Sequence, residues 1–130
     1  MFSNKTNLKK GNNITNASDL KIGDIVYLVN YINIKKVKIL SDVKIEDYND
    51  KYNTSILTDF EIKTVRVLEV ESKKELNILL NDYGVNKLTP FGINGVYRTL
   101  EEAKDAYENW VIPKVRQIDS LLIRSNSISN

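Results

Sequence analysis

The fourteen residues 94–107, NGVYRTLEEAKDAY, constrain the fold of this chain more than any other stretch. Asn-Gly predicts a type I′ hairpin turn, because both central residues of that turn need positive φ. Val96 and Tyr97 continue as a strand, and Thr99 followed by Glu102 has the spacing of a helix-capping box. Apolar residues then recur at helical spacing: Leu100, Ala103, Tyr107 and Val111. This segment therefore predicts a strand that runs directly into an amphipathic helix.

Three other stretches predict strands. Residues 25–31 follow a Gly-Asp turn and are rich in β-branched and aromatic residues on both faces, which is typical of a central strand. A turn at 30–33 leads to a second strand that begins at Val37. Residues 60–70 form a third strand, in which the alternation changes phase. A bulge, or burial on both faces, would explain that change.

Two segments predict helices besides the one capped by Thr99. A second capping box begins at Ser72, and an apolar stripe follows it, so a helix is predicted over 73–82 that ends at Gly84. That stripe consists of Leu76, Leu79, Leu80 and Tyr83. Farther along, Pro113 interrupts the continuing apolar pattern of the last helix. Either one helix kinks there, or a second helix starts with proline in its first turn.

These elements predict an α+β fold for the 130 residues. We expect a curved antiparallel β-sheet or small partly open barrel, with a short middle helix and a longer C-terminal helix kinked at or restarted by Pro113. Residues 1–18 are rich in Asn, Lys, Ser and Thr and predict a disordered basic arm. Residues 19–124 would form the single domain, and residues 125–130 a disordered tail. Trp110 is expected to pack in the core, with an exposed interface anchor as the alternative.

The composition removes many kinds of chemistry. The chain has no histidine and no cysteine, so the commonest general base, the thiol nucleophile and the commonest transition-metal ligands are absent. Each adjacent pair of carboxylates has a structural explanation in a loop, on a strand or in the first turn of a helix. The acidic run at 47–50 lacks the glycine and distal glutamate of a calcium loop. We therefore expect a non-catalytic protein with no cofactor and no metal site.

The charge is unevenly distributed although the net charge is only +2. Residues 1–40 carry seven lysines against two aspartates, whereas residues 41–82 carry six basic and ten acidic residues. Oppositely biased solvated faces account for this, and a surface that steers a charged partner is the alternative. The lysines that a nucleic-acid-binding surface would use are Lys5, Lys9, Lys10, Lys35, Lys36 and Lys38. No stretch has the apolar run of a signal peptide or a membrane span, so a cytoplasmic location is expected.

Residues 46–59, EDYNDKYNTSILTD, predict a polar loop or long hairpin end. Tyr48 and Tyr52 lie four residues apart beside Asp47 and Asp50. Tyrosine is favoured at the energetic centres of protein interfaces, so these four residues are the candidate partner-binding set. Alternatively, the two tyrosines fold back onto the edge of the sheet.

Two short motifs resemble a known group. One is Gly-Asp-x-Val-Tyr near the start, and the other is a late run of Phe-Gly…Val-Tyr-x-Thr-x-Glu-Glu-Ala. The residues are Gly23, Asp24, Val26, Tyr27, Phe91, Gly92, Val96, Tyr97, Thr99, Glu101, Glu102 and Ala103. This layout resembles that of small phage and prophage proteins of Firmicutes, in which Phe usually stands at the position of Tyr97. The resemblance covers about a fifth of the chain. It implies a mobile-element origin and a small sheet-plus-helix domain, and it does not indicate any particular activity.

The function that these expectations favour is a binding protein, encoded by a phage or mobile element, that occupies a host protein. Its acidic loop would imitate the charge of nucleic acid against a basic partner, as in an anti-CRISPR-like inhibitor of a host defence or nuclease system. One alternative is a small nucleic-acid-binding module that uses the basic first third of the chain. A phage structural or assembly protein is another. A homodimer is compatible with each.

Overall fold

The structure is a computed structural model that describes residues 10–55, 60–85 and 92–128, with side chains described up to residue 120. Six strands and a helical C-terminal segment confirm the α+β prediction. The strands are β1 (Ile25–Val29), β2 (Ile34–Ile39), β3 (Lys44–Asp47), β4 (Glu61–Glu69), β5 (Glu75–Leu79) and β6 (Gly95–Tyr97). The helices are α1 (Tyr48–Tyr52), α2 (Leu100–Ala106) and α3 (Ile112–Ile128).

All strand pairs are antiparallel and form one open sheet: β6 pairs with β1, β1 with β2 and β2 with β4, and β4 pairs in addition with β3 and β5. The strands β2 and β3 lie end to end along the same edge of β4. Ile39 pairs with Val67 and Lys44 pairs with Thr64. Between these two pairs the chain of β2 and β3 advances by five residues, whereas β4 advances by three. Two extra residues therefore bulge from this edge. The Arg66 N–H, at the bulge, donates to the Ser41 hydroxyl at 3.0 Å.

Both faces of the sheet carry a buried core. One face is covered by residues 14–20 and 80–85, and its buried residues are Ile14, Ala17, Leu20, Val26, Leu28, Val37, Ile39, Val65, Val67, Leu80, Val85 and Val96. The other face is covered by the C-terminal helical segment, and its buried residues are Val29, Tyr97, Ala103, Ala106, Trp110 and Val111. Strand β1 contributes to both cores and lies between β2 and β6, so the prediction of a central strand is confirmed.

Residues 10–18, which belong to the predicted basic arm, contact the sheet. Ile14 donates its N–H to the Val96 carbonyl at 2.8 Å, and Val96 donates its own N–H to the Asn13 side chain at 2.7 Å. The Tyr97 hydroxyl donates to the Lys10 carbonyl at 2.6 Å. These bonds, together with the burial of Ile14, hold the segment against β6. Residues 1–9 lie outside the described ranges.

The helix predicted over 73–82 is wrong, because residues 75–79 form strand β5 and residues 80–83 a 3₁₀ turn. Lys73 has a φ of +63°, outside the helical region, and Ser72 donates to the Glu69 side chain at 2.7 Å. Leu76, Ile78 and Leu79 pair instead with the edge of β4, because the N–H and C=O groups of that edge need hydrogen-bond partners. The predicted end at Gly84 is correct, since its φ is +74°.

The type I′ turn predicted at Asn94-Gly95 is also wrong. Gly95 lies in β6 opposite Val29 and does not have a φ in the left-handed region. The position needs glycine for space, because a Cβ there would meet the side chains of Asn13 and Tyr97. Residues 86–91, which would complete a hairpin, lie outside the described ranges.

The C-terminal helical segment begins as predicted. Thr99 accepts the Glu102 N–H at 3.1 Å and donates to the Glu102 carboxylate at 3.0 Å. After α2, residues 107–111 form a π-helical turn, and α3 follows without a break. Pro113 is the second residue of α3, so the wide turn accommodates a residue that lacks an N–H and would crowd the preceding turn. The helix reaches Ile128 and so includes most of the predicted C-terminal tail.

Candidate functional site

Helix α1 presents the four residues that the sequence predicts as a partner-binding set. Asp47 ends β3 and caps the helix, because its carboxylate accepts the Asp50 N–H at 3.0 Å. The Tyr48 N–H donates to the Phe60 carbonyl at 2.9 Å and ties the helix to the start of β4. The helix ends at Asn53, whose φ of +51° is left-handed. A cap at each end therefore fixes a helix of only five residues.

The two tyrosines of α1 form part of an aromatic stack of three rings, in which neighbouring ring planes are inclined by 50° and 59°. The ring of Tyr48 lies 5.5 Å from that of Phe60 and 4.9 Å from that of Tyr52, measured between centroids. Tyr48 is half-buried, whereas 54% of Tyr52 is exposed. The two tyrosines therefore differ in position. Tyr48 packs back onto the protein, whereas Tyr52 projects from the stack into solvent.

The charges around α1 largely compensate one another. The Glu46 carboxylate lies 3.3 Å from the Lys51 amine and 3.6 Å from the Lys44 amine. Asp47 is occupied as the helix cap, while Asp50 is exposed. The described part of this segment therefore carries a more balanced charge than the acidic loop that the sequence suggests.

The six lysines of the nucleic-acid alternative do not form one surface in the described ranges. Lys35 pairs with Glu69 at 2.9 Å; this bond lowers the pKa of the Glu69 carboxyl and raises the pKa of the lysine amine. Lys36 and Lys38 are exposed and alternate with the buried Val37, so they share one face of β2. Lys5 and Lys9 lie outside the described residues.

Lys10 has an unusual environment for a lysine. Its amine is buried and has no hydrogen-bond partner among the described residues. Burial lowers the pKa of this amine to about 8, because removing the group from water disfavours its charged form. The carbonyl of the same residue accepts the buried Tyr97 hydroxyl. Lys10 therefore belongs to the contact between the N-terminal segment and β6.

The turn between β1 and β2 was not among the predicted site residues. Tyr31 and Ile32 stand at its tip, 62% and 64% exposed. The Asn30 side chain accepts the N–H groups of Ile32 and Asn33 at 2.8 and 2.9 Å and fixes the turn. The sequence does contain the relevant pattern, since a turn over 30–33 necessarily places its two middle residues at the tip.

The remaining site features are limited. In the described ranges, no group of three or more acidic residues is placed to hold a metal ion. Three open grooves, with volumes of about 160, 490 and 500 Å³, lie on the surface. Trp110 is buried as predicted and donates to the Gly92 carbonyl at 3.1 Å. None of the helices in the described residues has the length and apolarity of a membrane span.

Comparisons with protein-family models, with curated proteins and with solved structures give no match for this chain.

Proposed function

We propose that this protein is a non-catalytic binding protein that occupies another protein through the exposed face of α1. The observation that carries the proposal is the stack of Phe60, Tyr48 and Tyr52, which ends in a half-exposed tyrosine. We place Tyr52 at the centre of the contact and Asp50 beside it. Tyr48 supports Tyr52 from below, and Asp47 holds the helix in shape.

The physical basis is the low entropic cost of an ordered tyrosine. A side chain that is already held by a neighbouring ring loses little rotamer freedom when a partner covers it. Tyrosine also combines a large apolar area with a hydroxyl that can hydrogen-bond, which is why it is enriched at the energetic centres of interfaces. The caps at Asp47 and Asn53 limit the motion of the helix that carries it.

The charge distribution supports an aromatic contact over imitation of nucleic acid. Glu46 is offset by two lysines, and Asp47 is used within the helix. Binding through Tyr52 is therefore expected to change little with salt, whereas a contact with a phosphate backbone weakens steeply. The finer hypothesis, an inhibitor of a host defence or nuclease system encoded by a phage, depends on the identity of the partner.

Affinity capture from a host lysate tests the proposal. The bait is the full chain, and the variants are Tyr52→Ala and, as a matched control, Tyr31→Ala. Tyr31 is a tyrosine of similar exposure on a different turn. The proposal predicts a partner that is retained by the wild type and by Tyr31→Ala but lost with Tyr52→Ala. Equal capture by Tyr52→Ala, or no specific partner of the wild type, would contradict it.

A second candidate function rests on Lys36 and Lys38. Both are exposed on the same face of β2, and the structure records no ion pair for either among the described residues. A nucleic-acid-binding module using this face would bind generic DNA or RNA with an affinity that falls steeply with salt, and the Lys36→Gln/Lys38→Gln variant would bind more weakly. Absence of binding at low salt would exclude this alternative.

A further inference from the structure

The outer edge of β3 leaves its backbone groups without partners in the described residues. In the segment 40–48, which runs beside β4, the even-numbered residues bond to β4. The Leu40 N–H donates to the Arg66 carbonyl, and the Tyr48 N–H donates to the Phe60 carbonyl. The odd-numbered residues of β3 and its approach therefore point their N–H and C=O groups away from β4. Among the described residues, no backbone hydrogen bond from a turn, loop or neighbouring strand reaches the outward groups of Val43 and Ile45 or the Asp47 N–H. The Asp47 carbonyl belongs to the first turn of α1, because Asp47 is the N-cap of that helix.

The path of the preceding chain explains why this edge is open. At the equivalent place on β2, Ile39 exchanges hydrogen bonds with Gly23 and Asp24, at 2.8 and 2.9 Å. The chain that forms β1 enters the sheet at that turn. Of the residues before it, the described segment 10–22 covers one face of the sheet through Ile14, Ala17 and Leu20 and forms no strand pair with β3. Within the described ranges, the line of pairing therefore stops at Ile39, and β3 has a strand on one side only.

A groove of about 500 Å³ adjoins β3 on the same face as the Ile45 side chain. It is lined by Val43 and Ile45, by residues 16–18, 20 and 21 of the N-terminal segment, and by Asp42, Glu61 and Lys63. Ile45 is 51% exposed, which is high for an isoleucine in a strand. An apolar side chain from a strand placed beside β3 would project into this groove next to Ile45.

The charges of β3 select which strand would fit. Exposed edges are commonly protected by charged residues, and β3 carries Lys44 and Glu46 on one face. If two copies of β3 pair antiparallel about Ile45, Lys44 lies opposite Glu46 of the other copy, twice by symmetry. Shifting the centre by one residue places Lys44 opposite Lys44, or Glu46 opposite Glu46. Charge complementarity therefore favours one register and a second copy of this chain.

From this geometry we propose that the protein forms a homodimer in which two β3 strands pair antiparallel about Ile45 and join the two sheets. The contact does not depend on Tyr52 and goes beyond the proposed function. The paired segment is short and buries less area than a stable dimer usually does, so the dimer is weak, with a dissociation constant above about 10 µM.

Sedimentation equilibrium of the full chain over a range of concentrations measures the association. The decisive variants are Lys44→Glu and Glu46→Lys, tested alone, mixed and combined in one chain. Each alone converts two attractive cross-strand pairs into repulsive ones and weakens association by about tenfold. An equimolar mixture of the two variants restores both pairs between unlike chains, and the double variant restores them between like chains.

The control is Glu75→Lys on β5. It changes the charge in the same way as Glu46→Lys and also removes an ion pair, the one between Glu75 and Arg66. It is expected to leave association within about twofold of the wild type, since β5 lies on the opposite edge of β4. Circular dichroism verifies that each variant is folded. A wild type that stays monomeric at every concentration would overturn the proposal. So would a dimer that is insensitive to the two single reversals, or a mixture that fails to recover.

Discussion

Replacing Gly95 with alanine tests how the N-terminal segment is attached to the sheet. A Cβ at this position would stand 2.7 Å from Cε2 and 2.9 Å from the hydroxyl oxygen of Tyr97, and it would clash with the Asn13 side-chain oxygen. Tyr97 is 1% exposed, so its ring has no space into which it could turn. The Asn13 side chain can move, but only by leaving the buried Val96 N–H without its 2.7 Å bond.

The expected loss of stability follows from these contacts. Crowding a packed site costs about 1–3 kcal/mol, and each hydrogen bond that is lost costs about 1 kcal/mol. Displacing Asn13 removes one such bond, and shifting Tyr97 endangers a second, which its hydroxyl donates to the Lys10 carbonyl. We therefore expect Gly95→Ala to lower the free energy of unfolding by about 3 kcal/mol.

Urea denaturation measures this loss, and amide hydrogen exchange locates it. Exchange at Ile14, whose N–H donates to the Val96 carbonyl, should accelerate more than exchange in β4. Gly23→Ala is the control: Gly23 has a φ of +93° and nothing within 4 Å of a Cβ, so its cost is backbone strain of about 1 kcal/mol. If Gly95→Ala is as stable as the wild type, or if Ile14 keeps its protection, this account of the N-terminal segment is wrong.

Three further predictions concern individual side chains. Asp47→Ala should lower the free energy of unfolding by about 1 kcal/mol in urea denaturation because it removes a helix cap, whereas Asp47→Asn, which can still cap, should cost little. Burial raises the pKa of the Tyr97 hydroxyl above its ordinary value of 10.0, so the unfolded chain loses this proton first. Stability should therefore be complete below the ordinary value and decline as the pH rises above it, with a shallower decline in Tyr97→Phe; equal slopes would contradict this. Trp110→Phe should cost about 1–2 kcal/mol in thermal unfolding because the Gly92 carbonyl loses its donor, and an unchanged transition would contradict the role of that bond.

The sequence predicts the fold correctly where local preference and tertiary environment agree. Residues 25–29 have apolar side chains on both faces, and the structure buries both faces of β1. Thr99 and Glu102 form their cap through contacts within one turn, which needs no information from the rest of the chain. Elements of this kind can be predicted from a single sequence.

The errors arise where a distant contact decides the conformation. Leu76, Leu79 and Leu80 have helical spacing, yet the edge of β4 pairs with residues 75–79 as a strand and leaves Leu80 in the following 3₁₀ turn. Gly95 suggested a turn, but its small size matters because Asn13, a residue far away in sequence, packs against it. The same contact orders a segment whose polar composition suggests disorder. Single-sequence patterns contain no information on such long-range partners.

The local structure of the candidate binding site differs from what the sequence predicts. Residues 46–59 were predicted as a polar loop or long hairpin end, whereas Tyr48 and Tyr52 lie on helix α1, where residues four apart share a face. The sequence does not predict that Asp47 caps the helix, because this depends on where the helix begins. Nor does it predict that Tyr48 supports Tyr52, because this depends on the contact between Tyr48 and Phe60. Whether the exposed face of α1 binds a partner remains a prediction.

The most direct test of the central claim is a calorimetric titration of the captured partner against the wild type, Tyr52→Ala and Tyr31→Ala. The account predicts that Tyr52→Ala weakens binding by about thirtyfold or more, as expected for the energetic centre of an interface. Tyr31→Ala should stay within about threefold of the wild type. An affinity that Tyr52→Ala leaves unchanged, or reduces no more than Tyr31→Ala does, would contradict the assignment of α1 as the binding surface.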